Sequence, residues 1–94
     1  MRFKVELHVS VARFLKTCDD ETVSAFWERV DEVRNDPVGR SEAVSEPNVS
    51  RYMLRYFRFA RYLALFQVDP IKGRIVVRSC RKQQPGRQRD PNGP

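Results

Sequence analysis

The feature that most constrains this chain is the stretch Asp69-Pro70-Ile71-Lys72-Gly73. An apolar run of strand length precedes it, Tyr62 to Val68, and another follows, Arg74 to Cys80, so the Pro- and Gly-bearing turn predicts a β-hairpin. The residues before it are ambiguous. Residues 51–66, "RYMLRYFRFARYLALF", hold four arginines, six aromatics and no acid. Arg51, Arg55 and Arg58 are spaced as a helical stripe among good helix formers, which allows a basic amphipathic helix. A strand from about Arg51 to Phe57 would instead complete a three-stranded meander with the hairpin.

The N-terminal half is easier to read. Phe3, Val5, Leu7 and Val9 alternate with Arg2, Lys4, Glu6 and His8, the period-2 pattern of a strand with one buried face. Ser10 is placed to cap a short helix, Val11 to Cys18, whose Val11, Phe14, Leu15 and Cys18 share a face. "DDET" then starts a second helix, in which Val23, Phe26, Val30 and Val33 recur at intervals of three and four. Asp20 and Glu21 sit where the helix dipole favours acids, and Trp27 flanks the apolar stripe. Pro37 and Gly39 end that helix, and residues 38–50 read as a polar loop. Residues 1–82 form one domain on this reading, and residues 83–94, rich in Pro, Gly and charge, form a mobile basic tail.

Charge narrows the range of partners. Residues 1–46 carry seven Lys or Arg against ten Asp or Glu, whereas residues 47–94 carry eleven against two, a net +9. Fourteen of the eighteen cations are arginine, whose planar fork suits phosphate and carboxylate, so the partner is anionic. The longest apolar run, Tyr62 to Phe66, is far short of the roughly 20 residues of a membrane span, and the chain reads as cytoplasmic. Cys18 and Cys80 read as reduced, partly buried thiols, and with His8 as the single histidine neither a metal nor a cofactor is expected.

The order β-α-α-β-β-β, the long second helix ending in "NDP", and the stretches "YMLR", "RYLALFQVD" and "RIVVRSCRK" together resemble the RelE/ParE superfamily of bacterial type II toxins over residues 3–82. The resemblance implies an α+β fold, a curved and mainly antiparallel sheet backed by an N-terminal helical hairpin, and it favours the strand for residues 51–57. It also implies a cognate antitoxin as partner. Two activities follow from it: ribosome-dependent cleavage of messenger RNA without a metal, or inhibition of DNA gyrase with no active site. A basic nucleic-acid-binding module that has lost toxicity is a third reading.

Metal-free RNA cleavage requires a base for the 2′-hydroxyl, cations around the scissile phosphate and an acid for the leaving 5′-oxygen. Arg61, Arg81 and Lys82 are the catalytic candidates, and Arg51, Arg55, Arg58, Tyr56, Tyr62 and Arg78 the nucleic-acid-binding ones, with Arg74 beside Arg78 on the last strand. The ribonuclease branch carries an arginine after an aromatic in the third strand; here the pair is Tyr62-Leu63, and Arg61 is the candidate substitute. Relatives place a His-Tyr pair or a later tyrosine after the last strand, where this chain has Gln83 and Gln84. Proton transfer would then fall to Lys82, Glu42, Glu46 or His8, although His8 reads as a surface residue without a partner and the two glutamates as loop acids. Tyr52, Phe57, Phe59 and Phe66 are expected in the core.

Overall fold

The computed structural model describes residues 2–44 and 53–83, with Met53 described by its backbone alone. Arg51, Tyr52, Glu46 and, of the expected mobile tail, residues 84–94 lie outside the described residues, whereas Gln83 is described. The element order is β1 (Lys4–Leu7), α1 (Val9–Lys16), α2 (Asp20–Asn35), β2 (Glu42–Ala43), β3 (Met53–Phe59), β4 (Tyr62–Asp69) and β5 (Arg74–Lys82). This is the expected α+β order with one addition, the two-residue strand β2. One five-stranded sheet has the order β1-β5-β4-β3-β2; β1 runs parallel to β5, and every other pair is antiparallel. No described helix is long and apolar enough to cross a membrane.

Local chemistry sets the helices. Asp19 is the N-cap of α2, its carboxylate accepting from Thr22 N at 2.9 Å, and Asp20 and Glu21 occupy the first turn. The N-cap of α1 is His8 and not Ser10: His8 Nδ1 accepts from Ser10 N at 3.1 Å, so the helix begins two residues earlier than expected. The same ring nitrogen lies 3.0 Å from Ser10 Oγ, which gives His8 the partners that the sequence did not reveal. After α2, Gly39 is required by a close approach, since its N–H bonds Asp36 Oδ1 and a Cβ there would collide with that carboxylate.

Both helices cover one face of the sheet. Phe26, Val30 and Val33 of α2 and Val11 and Leu15 of α1 meet Phe57, Phe59, Ala64, Phe66, Val68, Ile75 and Val77 in a single core. Phe57 and Phe59 are both buried, which explains why residues 53–59 are a strand: two residues apart they share a strand face, whereas on a helix they would diverge by about 200°. Phe26 is the hub, its ring 5.2 Å from Phe59 and 6.0 Å from Phe57. Arg34 closes the far end by donating to Phe3 O while its own carbonyl accepts from Phe3 N.

Two hairpin turns carry left-handed backbone. Gly73 has φ +65° and free space around it, and its carbonyl accepts from Lys4 N to start the β1–β5 pairing. Ala60, first of the two residues between Phe59 and Tyr62, has φ +51° despite its methyl group. A side chain in this region costs about 1 kcal/mol, so Ala60→Gly is expected to raise stability by about 1 kcal/mol and Gly73→Ala to lower it by a similar amount, both read from urea midpoints.

Candidate anion-binding face

Because the helices occupy one face, the other is free to bind. Strand alternation assigns its residues: Tyr56 and Arg58 of β3, Leu63, Leu65 and Gln67 of β4, and Arg74, Val76 and Ser79 of β5 point away from the core. Cross-strand register aligns Arg58 with Leu63 and Leu63 with Arg81, placing one arginine on each side of a half-buried leucine. Two strand spacings separate their Cα atoms by about 10 Å. Arg78 joins them through a β-bulge. Phe66 pairs with Val77 but Leu65 with Ser79, leaving Arg78 as the extra residue. Without that insertion, Arg78 and Arg81, three apart, would point to opposite faces. His8 N donates to Val77 O and Ser10 Oγ to Arg78 O, so the start of α1 holds the bulge.

The β2–β3 edge is held by two arginines that face inward. Arg55 Nε donates to Ser41 Oγ at 2.6 Å, and its Nη2 donates to Ser41 O and Val38 O at 2.9 and 3.2 Å. Arg29 of α2 donates to Arg58 O and Arg40 O, both at 3.1 Å, pairs with Glu32, and lies over the Phe57 ring. Together they fasten residues 38–41 beside β3 and deliver Glu42 opposite Tyr56. There Glu42 Oε2 accepts from Arg58 Nη1 at 2.8 Å and Oε1 from the Tyr56 hydroxyl at 3.0 Å. The Arg58 guanidinium also stands 5.6 Å from the Tyr56 ring centroid. The Glu42 hydrogen bond raises the Tyr56 pKa above its ordinary value, desolvation and the carboxylate charge adding to it.

The predicted residues therefore divide. Arg58, Tyr56, Arg78 and Arg81 share the helix-free face. Arg55 lies on the opposite side, two residues before Phe57 and on the same strand face, and is committed to the loop. Arg61 is in the β3–β4 turn and not on a strand, where it faces Asp19, Glu21 and Thr22 at the start of α2. Lys82 pairs with Tyr62 on the helix side of the sheet, away from Arg81. Tyr62 is no open stacking platform, since its ring packs 4.9 Å from Phe14 and 5.6 Å from Phe59. Arg74 is neutralised by Glu6 at 2.9 Å with Asp69 nearby. Gln83 turns back to donate to Ala60 O and Tyr62 O, securing the hairpin end. Among the described residues, Arg78 and Arg81 have neither an ion-pair nor a side-chain hydrogen-bond partner. The residue missed by sequence reasoning is Glu42, set down as a loop acid; its only signal was its position before a basic strand.

No family model matches the sequence, and no curated protein matches it. Among solved structures the chain is similar to an archaeal RelE–RelB complex from Pyrococcus horikoshii, at 18% identity and a TM-score of 0.77, over 92% of this chain and all of the matched one. The expected fold resemblance to RelE is thereby borne out.

Two measurements check the site. Arg55→Ala, which removes three charge-assisted hydrogen bonds, is expected to cost about 2 kcal/mol in urea unfolding, whereas Arg58→Ala, an exposed ion pair, should change it by less than about 1 kcal/mol. Burial, with a smaller contribution from Cys18, pushes the Cys80 thiol from 9.0 up to about 12. Its folded pKa lies above the unfolded one, so the stability it contributes is complete below pH 9 and lost as pH rises toward 12. Cys80→Ala should therefore show a flatter decline in melting temperature than the parent protein across that alkaline window.

Proposed function

We propose that this chain is the toxin subunit of a type II toxin–antitoxin pair and acts on ribosome-bound messenger RNA through the helix-free face of its sheet. The observation that carries the reading is that Arg58, Arg78 and Arg81 share one uncovered face, Arg58 and Arg81 on the strands either side of Leu63 and Arg78 further along β5 at the bulge. The fold likeness to the RelE chain of a RelE–RelB complex supports it and supports an antitoxin as partner.

In RNA cleavage the 2′-hydroxyl gives its proton to solvent water as its oxygen attacks phosphorus, the P–O5′ bond breaks with the 5′-oxygen taking a proton from water, and a 2′,3′-cyclic phosphate forms. Charge accumulates on the phosphoryl oxygens as the new bond forms, and guanidinium groups fixed on both sides favour that state over the ground state. On this reading Arg81, and Arg58 once released from Glu42, serve this role, with Arg78 holding a neighbouring phosphate. Leu63 between them provides an apolar floor that excludes water and strengthens each charge interaction. Arg61 and Lys82 contribute to the field at the turn end of the sheet instead of contacting the reacting phosphate.

One observation favours the gyrase-directed reading. Gln83 stands where relatives carry a proton-transfer group, and its amide is tied to the β3–β4 hairpin, an arrangement suited to binding without chemistry. Purified protein added to translating ribosomes, followed by mapping of mRNA ends, separates the two. Cuts at ribosomal A-site codons, falling about a hundredfold with Arg81→Ala or Arg58→Ala, are expected. Intact mRNA with arrested supercoiling would assign the protein to the gyrase branch, and neither effect would leave a basic binding module.

A further inference from the structure

We infer that Glu42 is a built-in counter-ion that an RNA phosphate must displace to reach Arg58 and Tyr56, so that this one carboxylate sets the affinity and salt response of the face. The inference rests on the RNA-directed reading above. Glu42 meets both of its partners with charge-assisted geometry, one oxygen to each. A phosphodiester presents the same chemistry, two anionic oxygens to a guanidinium and a phenol, so the two anions compete for one pair of donors. The carboxylate is not a chance surface contact. Its backbone pairs with Tyr56 in register, and the preceding residues are fastened by Arg29 and Arg55, so it remains beside Arg58 at high local concentration.

The competition is weak enough to be overcome. The Arg58 and Glu42 side chains are each 54% exposed, and such a pair is screened by solvent and salt. A single incoming phosphate gains little by displacing Glu42, whereas a strand already held by Arg78 and Arg81 presents its next phosphate at high effective concentration. Glu42 therefore selects for polyanions over single phosphates, a specificity that three unpaired arginines would lack.

Fluorescence anisotropy with a labelled single-stranded oligouridylate, titrated at several salt concentrations, tests this. Glu42→Gln is expected to tighten binding roughly three- to tenfold. It should also steepen the slope of log affinity against log salt by about 0.7, the increment for one further phosphate contact on a single strand. Both changes should vanish when Glu42→Gln is made in an Arg58→Ala background, and melting curves verify that every variant folds. Arg81→Ala provides the control for the parent reading. If Arg81→Ala weakens binding but Glu42→Gln changes neither affinity nor slope, Glu42 is an ordinary rim acid and the inference falls alone. If Arg81→Ala has no effect on binding, the face is not an RNA site and both readings fall.

Discussion

The side to which the last strand points its arginines depends on a single extra residue. Strand alternation is strict, so Ile75 and Val77 in the core require Arg74 and Val76 on the opposite side. Continued without interruption, that alternation would send Arg81 to the helix side and turn Cys80 outward. The bulge at Arg78 resets it: Cys80 packs toward the core opposite Ala64, and Arg81 emerges beside Leu63. A bulge leaves its own backbone groups outside the ladder, and here Ser10 of α1 supplies a donor to the Arg78 carbonyl. The first turn of the first helix thus supports the geometry of a face it does not touch.

A second constraint governs which arginines remain available. Arg29, Arg34 and Arg55 donate to backbone carbonyls, and Arg74 faces Glu6 and Asp69. These guanidinium groups replace hydrogen bonds that a small sheet with a short edge strand cannot make for itself, a task for which lysine, with one compact donor centre, is poorly shaped. The arginine bias of the chain therefore has two causes, internal fastening and outward charge. Net charge by segment counts both alike, and so overstates how much of the C-terminal half can meet a partner.

That distinction marks the limit of what the sequence discloses. Element type and order were legible because burial imposes periods of 2 and 3.6, as in Phe3 to Leu7 and Val23 to Val33, although Val9, expected on the buried face of the strand, instead begins α1 and is exposed. The assignment of Phe57, Phe59 and Phe66 to the core followed from the same rule and the need of a small domain for buried aromatic area. The cap at His8 was missed because an imidazole is a less common acceptor there than the neighbouring serine. With Phe57 and Phe59 in the core, alternation already sends Arg55 and Arg58 to opposite faces, but the carbonyls that engage Arg55 belong to residues 38 and 41, distant in sequence and without a pattern of their own. Arg81 was found from its resemblance to a known arrangement, but its face depends on the bulge, which leaves no mark in hydrophobic periodicity.

Leu63 shows how these levels combine. It occupies the centre of the arginine row, where an apolar side chain contributes no charge and a guanidinium must come from the strand on either side. Placing the cations on the flanks has a physical consequence. The Arg58 head group turns to Glu42 on the β2 side, so the two guanidinium groups are held apart across β4 instead of meeting over Leu63. Two like charges held on separate strands also repel each other less than adjacent ones. On the β3 side the charge is moderated by Glu42; on the β5 side no carboxylate pairs with Arg78 or Arg81 among the described residues. The uncompensated charge of this face is therefore concentrated on β5, whereas the guanidinium on β3 is already paired.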